Sequence, residues 1–313
     1  MTKLSVREIV ADSYKFTFGH LGKVIALIWL PIVVLTVGGY FVMAPYFSGM
    51  SAAYQEDDIA AQGPLLVRMF GFELVCLVLF TAAAVAITRE ILKPRGGPNF
   101  LRIRLGAEEF RTMGGLIGLF LVLLVAGIVA GILGGILAGV VATLLPGALK
   151  LAKAAHAGCD PAMVMQMMKV LSVAWLIAGA AVIYFALRLG FLLVPAAVME
   201  DKFGLESSWR LTKGNFWRIL AISVATLAPV VILSLAVEFI LLGPDFYNPH
   251  LEQICDPAAH MRLLGAQMQA AASRVPLAMG LSFLFAPITY GLMISPAVFA
   301  YRALTAKAEP PAA

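Results

Sequence analysis

Charge is what this sequence has least of. Asp, Glu, Lys and Arg make up 13% of the 313 residues, against 61% hydrophobic ones. So little charge cannot cover the surfaces of the one or two soluble domains that the length would otherwise allow. Cysteine is scarce too, and three residues exclude the dense disulfide framework of a small secreted scaffold. Of the four histidines, His156, His250 and His260 share no spacing that would make a metal site. Also missing are a P-loop, a glycine-rich dinucleotide fingerprint after a strand, HExxH and GxSxG, which removes the common nucleotide-binding and hydrolase readings.

What the chain does have is long apolar runs. Six occur, near 21–44, 65–88, 113–145, 170–199, 217–243 and 276–300, each at least the roughly 20 residues that a helix needs to cross a bilayer, and the third longer than one crossing requires. They predict an all-α polytopic membrane protein with six transmembrane helices, forming one integral membrane domain over residues 1–313. The first run follows a mixed-charge stretch, is too long for a secretory h-region and lacks a small-residue cleavage pattern, so it is expected to be retained. With the N-terminus inside, sixteen Lys and Arg fall in inner segments and six in outer loops. That asymmetry predicts both termini in the cytoplasm. The net charge of +5 is divided between spans, which points to anionic membrane lipids as partners and not to nucleic acid.

The sequence also repeats. At a shift of 195, Ser13-Tyr14-Lys15-Phe16-Thr17 overlies Ser208-Trp209-Arg210-Leu211-Thr212, Gly19 falls on Gly214, and Lys23 on Arg218. A fainter copy, at a shift of 96, places Phe110, Arg111, Gly115 and Gly118 on Tyr14, Lys15, Gly19 and Gly22. Three parallel units are expected, about 1–95, 96–199 and 200–313. Each would hold a short amphipathic helix on the cytoplasmic face, a span outward and a span back, in a pseudo-threefold arrangement. In the first helix Ser5 and Glu8 fit a capping box. In the third, Leu205, Trp209, Thr212, Phe216 and Ile219 make one stripe, and Gly214 ends the helix. Tyr14, Lys15, Lys23, Arg111, Trp209, Arg210, Lys213, Trp217 and Arg218 are then the expected lipid-interface residues, with aromatics at the polar boundary and cations on lipid phosphate.

The stretch Leu187 to Leu220, "LRLGFLLVPAAVMEDKFGLESSWRLTKGNFWRIL", resembles the signature of the glycerophosphoryl diester phosphodiesterase membrane-domain superfamily. The residues that carry the resemblance are Arg188, Pro195, Ala196, Glu200, Gly204, Ser208, Trp209, Leu211, Thr212, Gly214, Asn215 and Trp217. The segment "LRIRLGAEEFR", 101–111, is similar to an inner-loop motif of such proteins. The resemblance implies a six-span protein of the bacterial inner membrane. It implies no catalysis, since the metal-binding residues of the soluble phosphodiesterase barrel do not occur in this sequence.

Charges inside spans are costly and direct attention to function. Arg188 lies in the fourth run, Glu73 in the second and Glu238 in the fifth; together they are candidates for a polar pathway, with helix packing the alternative for Arg188. Gly127, Gly131, Gly135 and Gly139 recur every four residues in the third run and predict a close helix contact, within the chain or in a homo-oligomer. Cys159 and Cys255 fall in outer loops, where they would form either a disulfide or two free thiols. His156, Cys159 and Met163, Met165, Met167 and Met168 offer soft ligands for Cu(I), but Asp160-Pro161 reads as a helix start that scatters the methionines around several faces. No cofactor and no resident metal is expected, and no protein partner is specified. The expected role is non-catalytic: binding or organising membrane lipid or a partner protein. A transporter or channel is the main alternative, and an accessory domain for phospholipid head-group metabolism is the third.

Overall fold

The computed structural model describes residues 3–56, 59–94, 106–144, 172, 175–200, 202–243 and 256–306. Among them the regular elements are all helical. In chain order they are α1 (Val6–Gly19), α2 (Leu21–Glu56), α3 (Ile59–Leu92), α4 (Ala107–Leu144), α5 (Trp175–Met199), α6 (Leu205–Leu211), α7 (Phe216–Leu242) and α8 (Pro257–Thr305). Six of them, α2, α3, α4, α5, α7 and α8, are long and apolar enough to cross a membrane, and the chain is an all-α, multi-pass membrane protein. The helices outrun the apolar stretches that predicted them. α8 has 49 residues, about 70 Å of helix, so it also extends beyond a hydrocarbon core of about 30 Å.

Backbone groups in a bilayer must be satisfied within the chain, which makes these apolar segments helical despite prolines at 31, 45, 64, 229, 276, 287 and 296. Capping is used where a helix begins in a polar setting. The Asp256 carboxylate accepts hydrogen bonds from the Ala258 amide at 3.0 Å and the Ala259 amide at 3.2 Å, with Pro257 in the first turn. The capping box expected at Ser5 and Glu8 is not formed: Ser5 holds the N-cap position but makes no side-chain cap bond. Tertiary contacts fix that entry instead. The Leu4 amide donates to Asn215 Oδ1 at 3.2 Å, and Arg218 donates to the Leu4 carbonyl at 3.1 Å.

The spans alternate in direction, so the molecule has two ends. One, called here the anchored end, gathers α1, α6, the starts of α2, α4 and α7, and the finishes of α3, α5 and α8. The other is the distal end. Both buried apolar clusters lie toward the anchored end. One joins Val24, Leu27 and Ile28 of α2 to Ala83, Ala84 and Ile87 of α3 and Val298 of α8. The second joins Ile9 of α1, Leu192 and Ala196 of α5, Ile219 and Ile222 of α7, and Leu304 of α8. Small side chains let these helices approach closely where no hydrophobic driving force separates them from lipid.

Three contacts join helices at this end, two between successive elements and one between the first and the last. Arg89 of α3 meets Glu108 at 2.7 Å and Glu109 at 2.8 Å at the start of α4. Ser208 and Thr212 of the α6 segment bond to α5. Thr17 of α1 packs on Gly291 of α8, where an added Cβ would lie 2.6 Å from Thr17 Cγ2. Positions 195 apart share burial: Ser13 with Ser208, Thr17 with Thr212, Val24 with Ile219, and Leu27 with Ile222.

Large apolar side chains also face outward along the spans. Phe41, Val67, Phe70, Phe120, Ile132, Leu133 and Ile136 are all exposed, as lipid-facing residues are in a membrane.

Candidate functional site

The charged residue that the sequence marks most strongly, Arg188, sits where α5 changes character. Residues Ala186–Gly190 form a π-helical turn, followed by a non-helical turn at 191–192. An α-helical rung would join the Leu192 amide to the Arg188 carbonyl. Here Ser208 stands between them: its hydroxyl accepts from the Leu192 amide at 3.2 Å and donates to the Arg188 carbonyl at 3.1 Å. A side chain inserted into the ladder is a recognised cause of such a break. The positive φ of 80° at Gly204 brings the chain back along α5, with an added Cβ falling 2.4 Å from the Leu193 carbonyl oxygen, so only glycine fits.

The Arg188 side chain is buried, at 9% exposure. Its Nε donates to Thr212 Oγ1 at 3.0 Å, one terminal nitrogen donates to the Trp209 carbonyl at 2.9 Å, and the other donates to the Tyr184 hydroxyl at 3.2 Å. The guanidinium carbon lies 4.0 Å from the centre of the Trp209 ring. Dipoles and an aromatic face thus solvate the cation, with no carboxylate among these contacts. The arrangement is a lock between α5 and α6. Close by, Glu200 accepts from the Tyr301 hydroxyl at 3.0 Å and from the Ser207 hydroxyl, which ties α6 and α8 to the end of α5.

At the distal end the spans part around a cavity of about 490 Å³, within the range of about 300–1,000 Å³ usual for small-molecule sites. α2, α3, α7 and α8 supply its walls, among them Gly39, Phe72, Cys76, Ser234, Glu238 and Tyr290. The lining is largely apolar, with hydroxyls at intervals and one carboxylate. Glu238 makes no hydrogen bond or ion pair among the described residues. Its nearest cationic neighbour along α8, Arg274, donates to the Ile240 carbonyl at 3.4 Å at the end of α7. Glu73 is exposed one helical turn from Cys76 on α3. Arg188 is not part of the cavity wall, so the three intramembrane charges do not converge as a shared polar pathway requires.

No family model, curated protein or solved structure matches this chain. The resemblance of residues 187–220 therefore rests on those residues themselves.

The expected interface residues fall into two groups. Lys15, Arg210, Lys213 and Trp217 are exposed, Trp217 most of all at 76%. The others also make internal contacts: Tyr14 donates to the Ala225 carbonyl at 3.0 Å, Lys23 is 3.7 Å from Glu90, Arg218 holds Leu4, Trp209 covers Arg188, and Arg111 is half-buried. The stripe from Leu205 to Ile219 is not one helical face, because α6 ends at Leu211 and a turn containing Gly214, at φ 77°, precedes α7. Ser208 and Thr212 form the buried side of α6, while Trp209 is 38% exposed.

The glycine series in α4 makes little contact with the described residues. An added Cβ at Gly127 would touch Val182 at 3.8 Å, whereas at Gly131 and Gly135 nothing among the described residues lies within 4 Å. The helix α4 meets its neighbours instead at Gly114, Gly115 and Gly118, against Phe203, Leu193 and Leu205. Gly139 lies on the same helix. Cys159 and Cys255 are outside the described residues, as are His156 and the methionines around it.

The cavity has no motif in the sequence. Its faint trace is the set of polar residues at helical spacing inside apolar runs, Ser234 with Glu238, and Ser282 with Thr289.

Proposed function

We propose that this protein is a non-catalytic lipid-binding protein of the bacterial inner membrane, with its anchored end and both termini on the cytoplasmic side. The observation that carries the reading is the cavity between α2, α3, α7 and α8: it lies within membrane-spanning helices, is mostly apolar, and carries polar groups at intervals. Such a lining suits the chain of a lipid better than a hydrated solute, because few groups are present to replace lost water contacts. The crowding of Lys and Arg on inner segments supports the orientation. Exposed Lys15, Arg210, Lys213 and Trp217 would hold anionic head groups at the cytoplasmic surface. The resemblance of residues 187–220 to the glycerophosphoryl diester phosphodiesterase membrane domains fits a lipid-facing role of this kind, and the three-unit repeat is part of the same proposal.

Lipid mass spectrometry on gently purified protein, combined with its native mass, tests the reading. Wild type is expected to retain at least one more lipid than Ser282→Trp, which places an indole across the cavity from an exposed position. Equal retention by the two proteins would sink it, and the same native mass reports whether the chain self-associates.

A further inference from the structure

The cavity carries its one carboxylate at a defined height. Glu238 is 22 residues beyond Phe216, where α7 begins at the anchored end, and that distance is about 33 Å along the helix. A hydrocarbon core is about 30 Å thick. If α7 enters the core near Phe216, beside the exposed Trp217, the Glu238 carboxylate reaches the head-group level of the opposite leaflet. Lower in the cavity, Tyr290 lies 12 residues before Arg302 at the anchored end of α8, about 18 Å along that helix. The walls between these levels are mainly apolar, formed by Phe72, Leu233, Val237 and Phe285. The site therefore has a charged rim and an apolar shaft, which is the polarity of one lipid molecule standing in its leaflet.

The rim charge has no partner of its own. Glu238 makes no hydrogen bond or ion pair among the described residues, and Arg274 is engaged with the end of α7. Ser234, one turn away on α7, and Ser282, on the facing helix, add hydroxyl oxygens to the same lining. This set consists of one anionic acceptor and two neutral ones, and a group with several N–H donors complements it. A primary ammonium has three such donors; a quaternary ammonium has none, and a phosphate alone would be repelled.

We propose that the cavity selects a lipid whose head group bears a primary ammonium, taken from the leaflet at the distal end, with that ammonium on Glu238 and an acyl chain descending toward Tyr290. This rests on the lipid-binding reading above and names the class of lipid. The test reconstitutes purified full-length protein into nanodiscs containing equal parts of ethanolamine-, choline- and glycerol-headed phospholipids with identical chains. Lipids retained after detergent extraction are counted by mass spectrometry for wild type, Glu238→Gln and Ser282→Trp. Wild type is expected to enrich the ethanolamine lipid about tenfold over the choline lipid, the size of one charge-assisted hydrogen bond. Glu238→Gln should lose that enrichment while holding the same number of lipids. Enrichment that survives in Glu238→Gln, or a wild-type preference for the choline or glycerol lipid, would overturn the proposal and leave lipid binding intact. Equal and unselective retention by wild type and Ser282→Trp would overturn both.

Discussion

The two ends of α4 are both rich in glycine and are packed differently against the described residues. Near the start of α4, glycines are spaces already used: a Cβ at Gly115 would fall 2.4 Å from the Phe203 carbonyl oxygen, and one at Gly190 of α5 would fall 2.8 Å from Leu119. Toward the distal end of α4, Gly131 and Gly135 have nothing among the described residues within 4 Å of an added Cβ. Buried Arg188 is engaged by Tyr184, Thr212 and Trp209, whereas Glu238 lines the cavity with no hydrogen bond or ion pair among the described residues. In a membrane, helix association depends on packing and polar contacts rather than on escape from water. Composition alone did not foretell this contrast, because hydropathy is high along the spans at both ends.

Substitutions at glycines should expose the contrast most sharply. Gly204→Ala, which forces a side chain into a left-handed conformation against the Leu193 carbonyl, and Gly115→Ala are each expected to destabilise by about 3–5 kcal/mol, read as a loss of thermal stability in detergent. Arg188→Ala comes next. Removing three charge-assisted hydrogen bonds and the Trp209 contact should cost about 2–4 kcal/mol, with Arg188→Lys recovering only part of it because the ammonium lacks the planar fork. Ser208→Ala takes away the hydroxyl that bridges the opened rung between Arg188 and Leu192. It should cost about 1–3 kcal/mol, and the Leu192 amide should exchange faster with deuterium. The smallest effect has the opposite sign: Gly131→Ala, at an open helical position, should leave stability unchanged or raise it by up to about 1 kcal/mol. A loss at Gly131 comparable with that at Gly115 would break the comparison and show a packed partner on α4.

Much of the architecture is legible in the sequence. Long apolar runs fix six spans because helix is the open-ended backbone solution in lipid, and Gly214 does mark a turn between α6 and α7. Boundaries were less legible, because apolar length measures the hydrocarbon layer while helices such as α2 and α8 continue past it. Two further sequence echoes accompany the repeat. Gly190 and Pro195-Ala196 recur 101 residues later as Gly291 and Pro296-Ala297, and Cys159-Asp160-Pro161-Ala162 recurs 96 residues later as Cys255-Asp256-Pro257-Ala258. In the first pair, each glycine lies beside the part of a returning span that receives a Ser/Thr helix: Ser208 and Thr212 near Gly190, and Thr17 at Gly291. The two seats differ in one respect. Thr212 Oγ1 accepts from Arg188, whereas Thr17 Oγ1 is buried with no hydrogen-bond partner. The role of Arg188 was hidden because its partners come from a carbonyl, a hydroxyl and an indole, none of which a search for counter-charges would choose. The cavity was hidden for a similar reason: space between helices leaves no residue type behind.

The most direct test of an anchored end beneath a lipid-receiving distal end is a single-particle map of the protein in lipid nanodiscs. The account predicts elongated density in the cavity between α2, α3, α7 and α8, ending beside Glu238, with the Arg188–Trp209 contact closed and free of lipid. A cavity collapsed by side-chain repacking, or head-group density inserted between Arg188 and Trp209 with none beside Glu238, would contradict it.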